Sequence, residues 1–181
     1  MRVGELVLSL LRPGDPDALI DESLFADDEF MPYWAQLWPS ASVLASVLPY
    51  RLDGLRVVEL GCGLGVPSLV AASRGGDVVA TDWAADAIAL LETNAERNGL
   101  AVTALRADWR AFEGAFDLVL ASDVLYEARN VDPLLELLPQ LSRDVLIADP
   151  GRPAAAGFFE RAAGPWHVEE QCPGAYRLTA R

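Results

Sequence analysis

Short, almost wholly apolar runs alternate along this chain with longer stretches in which apolar residues return every three or four positions. The first kind reads as strands buried on both faces, the second as helices that bury one face. The pattern predicts strands near 56–61, 78–82, 102–107, 116–121 and 144–149, with helices near 66–74, 85–97, 131–141 and 154–163. Pro67 suits the first turn of the first of these helices, where a missing N–H costs nothing, and Asn98-Gly99 closes the second. Alternation of this kind means an α/β fold, a parallel sheet with helices on both faces. The pattern then changes. Trp166 to Glu170 and Ala175 to Ala180 read as two strands joined through Cys172-Pro173-Gly174, a terminal β-hairpin.

The N-terminal part is less regular. Leu6 to Leu11 reads as a short strand and Arg12-Pro13-Gly14-Asp15-Pro16 as a turn. Asp21 to Glu29 carries five acids and is expected to be mobile. From Pro39 to Tyr50, Val43, Leu44, Val47 and Leu48 fall at helical spacing, with Ser40 as the expected cap. At 181 residues the chain reads as one domain, 1–181, with a lead-in and lid over 1–50 and a core over 51–181.

Chemistry enters at Val57-Val58-Glu59-Leu60-Gly61-Cys62-Gly63-Leu64-Gly65. A strand ends in an acid and three alternating glycines, a helix follows, and the next strand ends at Asp82. This is the grammar of a βαβ unit that binds an adenosine-containing cofactor, with the second-strand acid placed to accept from ribose hydroxyls. A dinucleotide fingerprint counted from Gly61 needs its third glycine at position 66, which holds Val66. Here that glycine falls one residue early, at Gly65. A carboxylate at Glu59 is repulsive beside a pyrophosphate and favourable beside the sulfonium of S-adenosylmethionine. The spacing therefore points to the methyl donor.

Charge and cysteine content narrow the class. Net charge is −13, from 27 acids against 14 bases, and every base is Arg. Without a basic cluster, neither nucleic acid nor an anionic membrane surface is an expected partner. Two cysteines, Cys62 and Cys172, give no disulfide framework and no metal-ligand spacing. The acidic N-terminus does not read as a signal peptide, and no apolar run has membrane-spanning length, so a cytoplasmic protein is expected.

Ligands in open α/β sheets sit at the carboxyl ends of the strands. After the third expected strand come Asp108 and Trp109, an acid for an adenine amino group and an indole to pack on the ring, near Trp83. After the fourth comes Ala121-Ser122-Asp123-Val124-Leu125-Tyr126. One helical turn would put Asp123 and Tyr126 on one side of a loop, as a carboxylate and phenol for an amine; a helix cap at Asp123 with Tyr126 on the core is an equal reading. Asp149-Pro150-Gly151-Arg152 reads as a strand-to-helix turn with Asp149 and Arg152 paired, ahead of the alternative that it is another active-site rim. Met31 to Pro39 concentrates three aromatics, either a hydrophobic clamp or a lid with Trp38 near the methionine end. His167 falls in the hairpin and reads as an ordinary strand residue.

Together these motifs resemble the class I, seven-strand methyltransferases, and within them methyltransferase family 16, which includes protein-lysine methyltransferases. The carriers are Pro32-Tyr33-Trp34-Ala35-Gln36-Leu37-Trp38-Pro39, Glu59 to Gly65, Ala80-Thr81-Asp82-Trp83, Asp108-Trp109 and Ser122-Asp123-Val124-Leu125-Tyr126. Asp149-Pro150-Gly151-Arg152 resembles a motif of the branch that methylates the β-subunit of electron-transfer flavoprotein. The resemblance implies a Rossmann-like seven-stranded sheet of order 3-2-1-4-5-7-6 and S-adenosylmethionine as cofactor. It implies a cofactor pocket of Trp38, Glu59, Gly61, Gly63, Gly65, Asp82, Trp83, Asp108, Trp109 and Ala121, with Asp123 and Tyr126 at the methyl-transfer site. The expected reaction is methyl transfer to a lysine-bearing protein. A small-molecule N- or O-methyltransferase and a turnover-deficient cofactor-binding module stand as alternatives.

Overall fold

The computed structural model describes residues 1–15, 17–19 and 32–181. The acidic stretch Asp21 to Glu29 and Met31 lie outside the described residues. The chain runs β1 (Arg2–Val3), β2 (Leu6–Val7), α1 (Pro39–Val47), β3 (Arg56–Leu60), α2 (Val66–Ser73), β4 (Asp77–Asp82), α3 (Ala85–Arg97), β5 (Thr103–Arg106), β6 (Leu118–Ser122), α4 (Val131–Leu141), β7 (Asp144–Ala148), α5 (Pro153–Ala162), β8 (Trp166–Cys172) and β9 (Ala175–Ala180).

Strands β3 to β9 form one seven-stranded sheet of order β5-β4-β3-β6-β7-β9-β8. Its first five members pair in parallel, and β9 runs antiparallel between β7 and β8. The seven-stranded, mostly parallel sheet with its terminal hairpin is the expected architecture. Alternation along the strands explains the two cores. Val57, Leu118, Leu120 and Leu146 face α1, α2 and α3, whereas Val58, Val119, Val145 and Ile147 face α4 and α5. The central strands β3, β6 and β7 bury both faces, which is why they read as continuous apolar runs. After β5 the chain crosses back to place β6 beside β3, so the switch point opens at the carboxyl ends of β3 and β6.

The lead-in departs from expectation. Only Leu6–Val7 forms a strand, paired with Arg2–Val3. Beyond it the backbone docks on α3. Asn98 accepts from the Ser9 N–H at 2.8 Å and donates to its carbonyl at 3.0 Å. Asn94 does the same for Leu11, at 2.6 and 3.0 Å. Two side-chain amides thus replace the neighbouring strand that an extended segment would need. Ser40 is not a cap either. Trp38 holds the cap position of α1, Pro39 takes the first turn, and the Ser40 hydroxyl is freed for Asp123.

Candidate active site

The loop from Leu60 to Val66 forms the floor of a cleft at the switch point. Gly61, Gly63 and Gly65 all have positive φ, at 66°, 49° and 73°. Two of these positions show why no side chain fits. A Cβ on Gly65 would lie 2.2 Å from Leu91 Cδ1 on α3, so the early third glycine leaves room for the Leu91 side chain at the start of α2. A Cβ on Gly63 would lie 3.2 Å from the Trp34 carbonyl, so this glycine admits the aromatic segment above the loop.

Asp82, at the end of β4, ties the loop down. Its Oδ2 accepts from the Gly63 N–H at 2.9 Å and its Oδ1 from the Ala84 N–H at 3.0 Å. Burial pushes its pKa above the ordinary aspartate value, and those backbone donors pull against the shift. Trp83 and Trp109 stand on the same wall.

Glu59 is placed differently from the sequence expectation. It is fully buried beneath the loop and does not line the cleft. Its Oε2 accepts from the Ser68 N–H at 2.9 Å and also from the Ser68 hydroxyl. The reason is local: Gly65 caps α2 and has no side chain to meet the first-turn N–H groups, so Glu59 reaches across to do it. Burial, opposed by these Ser68 hydrogen bonds, pushes the carboxyl pKa up to about 8. Two further residues lie off the wall. Asp108 turns to the Arg110 N–H at 2.9 Å and caps the short turn Trp109–Ala111. Ala121 is buried in the sheet, and its neighbour Ser122 lines the cleft instead.

At the far end stand Asp123 and Tyr126, brought together without the helical turn their spacing suggested. Asp123 directly follows β6 with φ 58°, a left-handed conformation rare for a residue with a Cβ. Its N–H donates to the Ala148 carbonyl at 3.0 Å, which holds the bend. The Asp123 side chain is 9% exposed. Oδ1 accepts from the Ser40 hydroxyl at 3.0 Å and pairs with Arg152 Nη1 at 2.6 Å. Oδ2 is buried and has no hydrogen-bond partner among the described residues. An unsatisfied buried carboxylate oxygen costs free energy unless a ligand donor meets it.

Aromatic rings close this end. Tyr33 lies 5.5 Å from Tyr126 and 6.2 Å from Trp38, centroid to centroid, and Trp38 donates its indole N–H to the Tyr33 carbonyl at 2.8 Å. Tyr33, Trp34, Gln36, Leu37 and Trp38 thus line the cleft beside the loop, with Tyr33 and Tyr126 each nearly half exposed. Arg152, for which the sequence favoured a turn paired with Asp149 over an active-site rim, reaches into the cleft as well. Ser40, Cys62, Ser122 and Arg152 were not among the expected site residues; Cys62, Ser122 and Arg152 lay within motifs the sequence marked, and Ser40 carried no such signal.

The cleft encloses about 340 Å³, within the range of small-molecule sites. Its glycine floor, buried Asp82, flanking indoles and bare Asp123 oxygen suit an adenosine cofactor with a reacting group at the Asp123 end. The fold is the Rossmann-like fold of the S-adenosylmethionine-dependent methyltransferases. A magnesium protoporphyrin IX methyltransferase from Synechocystis, solved with bound S-adenosylmethionine, shares the fold: TM-score 0.65 and 16% identity, over 92% of this chain and 96% of that one. The lysine methyltransferase family model matches residues 27–160, and the chain belongs to that family.

Among curated relatives, the electron transfer flavoprotein beta subunit lysine methyltransferase of Danio rerio is 36% identical over 133 residues, 67% of this chain and 51% of the relative. The cypemycin N-terminal methyltransferase of a Streptomyces species is 32% identical over 142 residues, 72% of this chain and 55% of the relative. The chain thus spans about half the length of the curated relatives it matches. Among the described residues, no helix is long and apolar enough to cross a membrane.

Proposed function

We propose that this chain transfers methyl groups from S-adenosylmethionine to the side-chain amine of a lysine in a protein. One observation carries the reading: a buried carboxylate oxygen without a partner, at the end of a cleft whose mouth is flanked by two half-exposed tyrosines. An open aromatic mouth suits a long side chain entering from a large partner. A deep closed pocket would suit a whole small molecule.

In this reading Asp82, Trp83 and Trp109 hold the adenosine part, the glycine loop approaches the amino-acid part, and Trp38 covers it. The cofactor supplies an already activated methyl group, so the protein's work is positioning and desolvation. A lysine amine has a reference pKa of about 10.4 and reacts only when neutral. Asp123 Oδ2 accepts an N–H hydrogen bond from it, and Tyr126 orients it; neither acts as a strong general base. The names of both relatives describe methylation at a lysine or an N-terminus, which supports an amine acceptor. A net charge of −13 favours a basic partner over nucleic acid, although at physiological salt its reach is about 8 Å. The two free cysteines fit a cytoplasmic setting.

Mass spectrometry of purified acceptors tests the proposal. An electron-transfer flavoprotein β-subunit and a basic lysine-rich protein are incubated with the cofactor beside free lysine amide. Mass increments of about 14 Da on protein lysines support the reading. Methylation of the free amine in preference to both proteins would replace it with the small-molecule reading.

A further inference from the structure

We propose that Arg152 is a positioning residue that balances the charge of Asp123, so that Asp123 orients the acceptor amine without trapping it as an ammonium ion. This rests on the amine-acceptor reading above. The geometry is built rather than incidental. Arg152 Nη1 lies 2.6 Å from Asp123 Oδ1 and 2.9 Å from Asp149 Oδ2, with the arginine side chain 22% exposed between carboxylates that are 9% and 1% exposed.

The backbone fixes the arginine in place. Asp149 Oδ1 accepts from the N–H groups of Gly151 and Arg152 at 2.8 and 2.7 Å, and Arg152 caps α5 ahead of Pro153. The guanidinium carbon also stands 5.8 Å from the centre of the Trp38 ring. Asp149 is occupied by these backbone donors at a helix N-terminus, which leaves the guanidinium charge to act on Asp123.

A nucleophilic amine must present a lone pair. A carboxylate alone beside it would raise its pKa by roughly one to three units and hold it protonated. Arg152 occupies one oxygen and offsets the charge, while Oδ2 stays bare as a hydrogen-bond acceptor. Site polarity is thereby tuned to hold an N–H without stabilising an N–H⁺.

Calorimetric titration with two cofactor analogues tests the proposal without turnover. Sinefungin carries an amine-bearing carbon where the donor carries its methylsulfonium, and S-adenosylhomocysteine carries an uncharged thioether. Their affinity ratio reports how strongly the site favours a cation at the transfer position, and the thioether arm absorbs any general change in the cleft. In Arg152→Gln the preference for sinefungin is expected to rise about tenfold or more, equivalent to one pKa unit. Arg152→Lys restores the charge and is expected to return the ratio close to wild type. An unchanged ratio in Arg152→Gln, an equal change in Arg152→Lys, or loss of both ligands in both variants would overturn the proposal. The lysine-acceptor reading fails separately, through absence of methylated lysine in the transfer assay.

Discussion

Replacing Glu59 with glutamine isolates the least expected group in the fold. The carboxyl is fully buried and its pKa stands at about 8, against an ordinary value of 4.5. The folded state therefore holds a proton that the unfolded chain releases. Its contribution to stability is fully present below pH 4.5 and is lost as pH rises towards 8. Each pH unit in the middle of that window costs about 1.4 kcal/mol and less near either pKa, so between pH 5 and pH 8 the loss is roughly 3 kcal/mol.

Glutamine keeps an oxygen for the Ser68 N–H and hydroxyl but cannot ionise. Thermal melts of both proteins between pH 5 and 8.5, read as the difference between variant and wild type, remove the titrations they share. The variant should gain on wild type by about 6–12 °C between pH 5 and 8, at 2–4 °C per kcal/mol for a domain of this size. Parallel curves would refute the reasoning. They would mean that the N-terminus of α2 and Ser68 keep Glu59 ionised despite its burial, and that a full negative charge lies under the glycine loop.

Other expectations follow from single contacts. Gly65→Ala sets a Cβ 2.2 Å from Leu91 Cδ1 at a φ of 73°, and should cost about 2–4 kcal/mol, seen as a lower melting temperature. Asp82→Ala releases the Gly63 and Ala84 N–H groups and should weaken cofactor binding at least tenfold by calorimetry. Ser40→Ala removes one of the two donors to Asp123 Oδ1 and should lower methyl-transfer kcat while leaving cofactor affinity within about fivefold, since an ordinary hydrogen bond contributes about 1 kcal/mol.

The buried sheet was legible because burial on both faces leaves a plain trace. The strand expected at 56–61 is Arg56–Leu60, and the one at 144–149 is Asp144–Ala148. Helix ends marked by Pro67 and Gly99 also fell close to their expected places. Long-range side-chain geometry was not legible. Nothing local to Leu6–Leu11 says that Asn94 and Asn98 will satisfy its backbone. The acid before the glycine loop is visible, but its direction depends on an uncapped helix start that only packing defines. Arg152 shows its local partner Asp149 through spacing, while its contact with Asp123 comes from the sheet setting β6 beside β7.

The most direct test of a lysine acceptor uses tritiated methyl donor, the chain, and a protein extract. Labelled protein is precipitated and hydrolysed, and its amino acids are separated. The chain contains no lysine, so none of the signal can come from self-methylation at that side chain. The account predicts label co-eluting with ε-N-methylated lysine, lost when Asp123→Asn replaces the wild type. Label confined to small molecules, or absent from lysine while the donor is demonstrably bound, would contradict it.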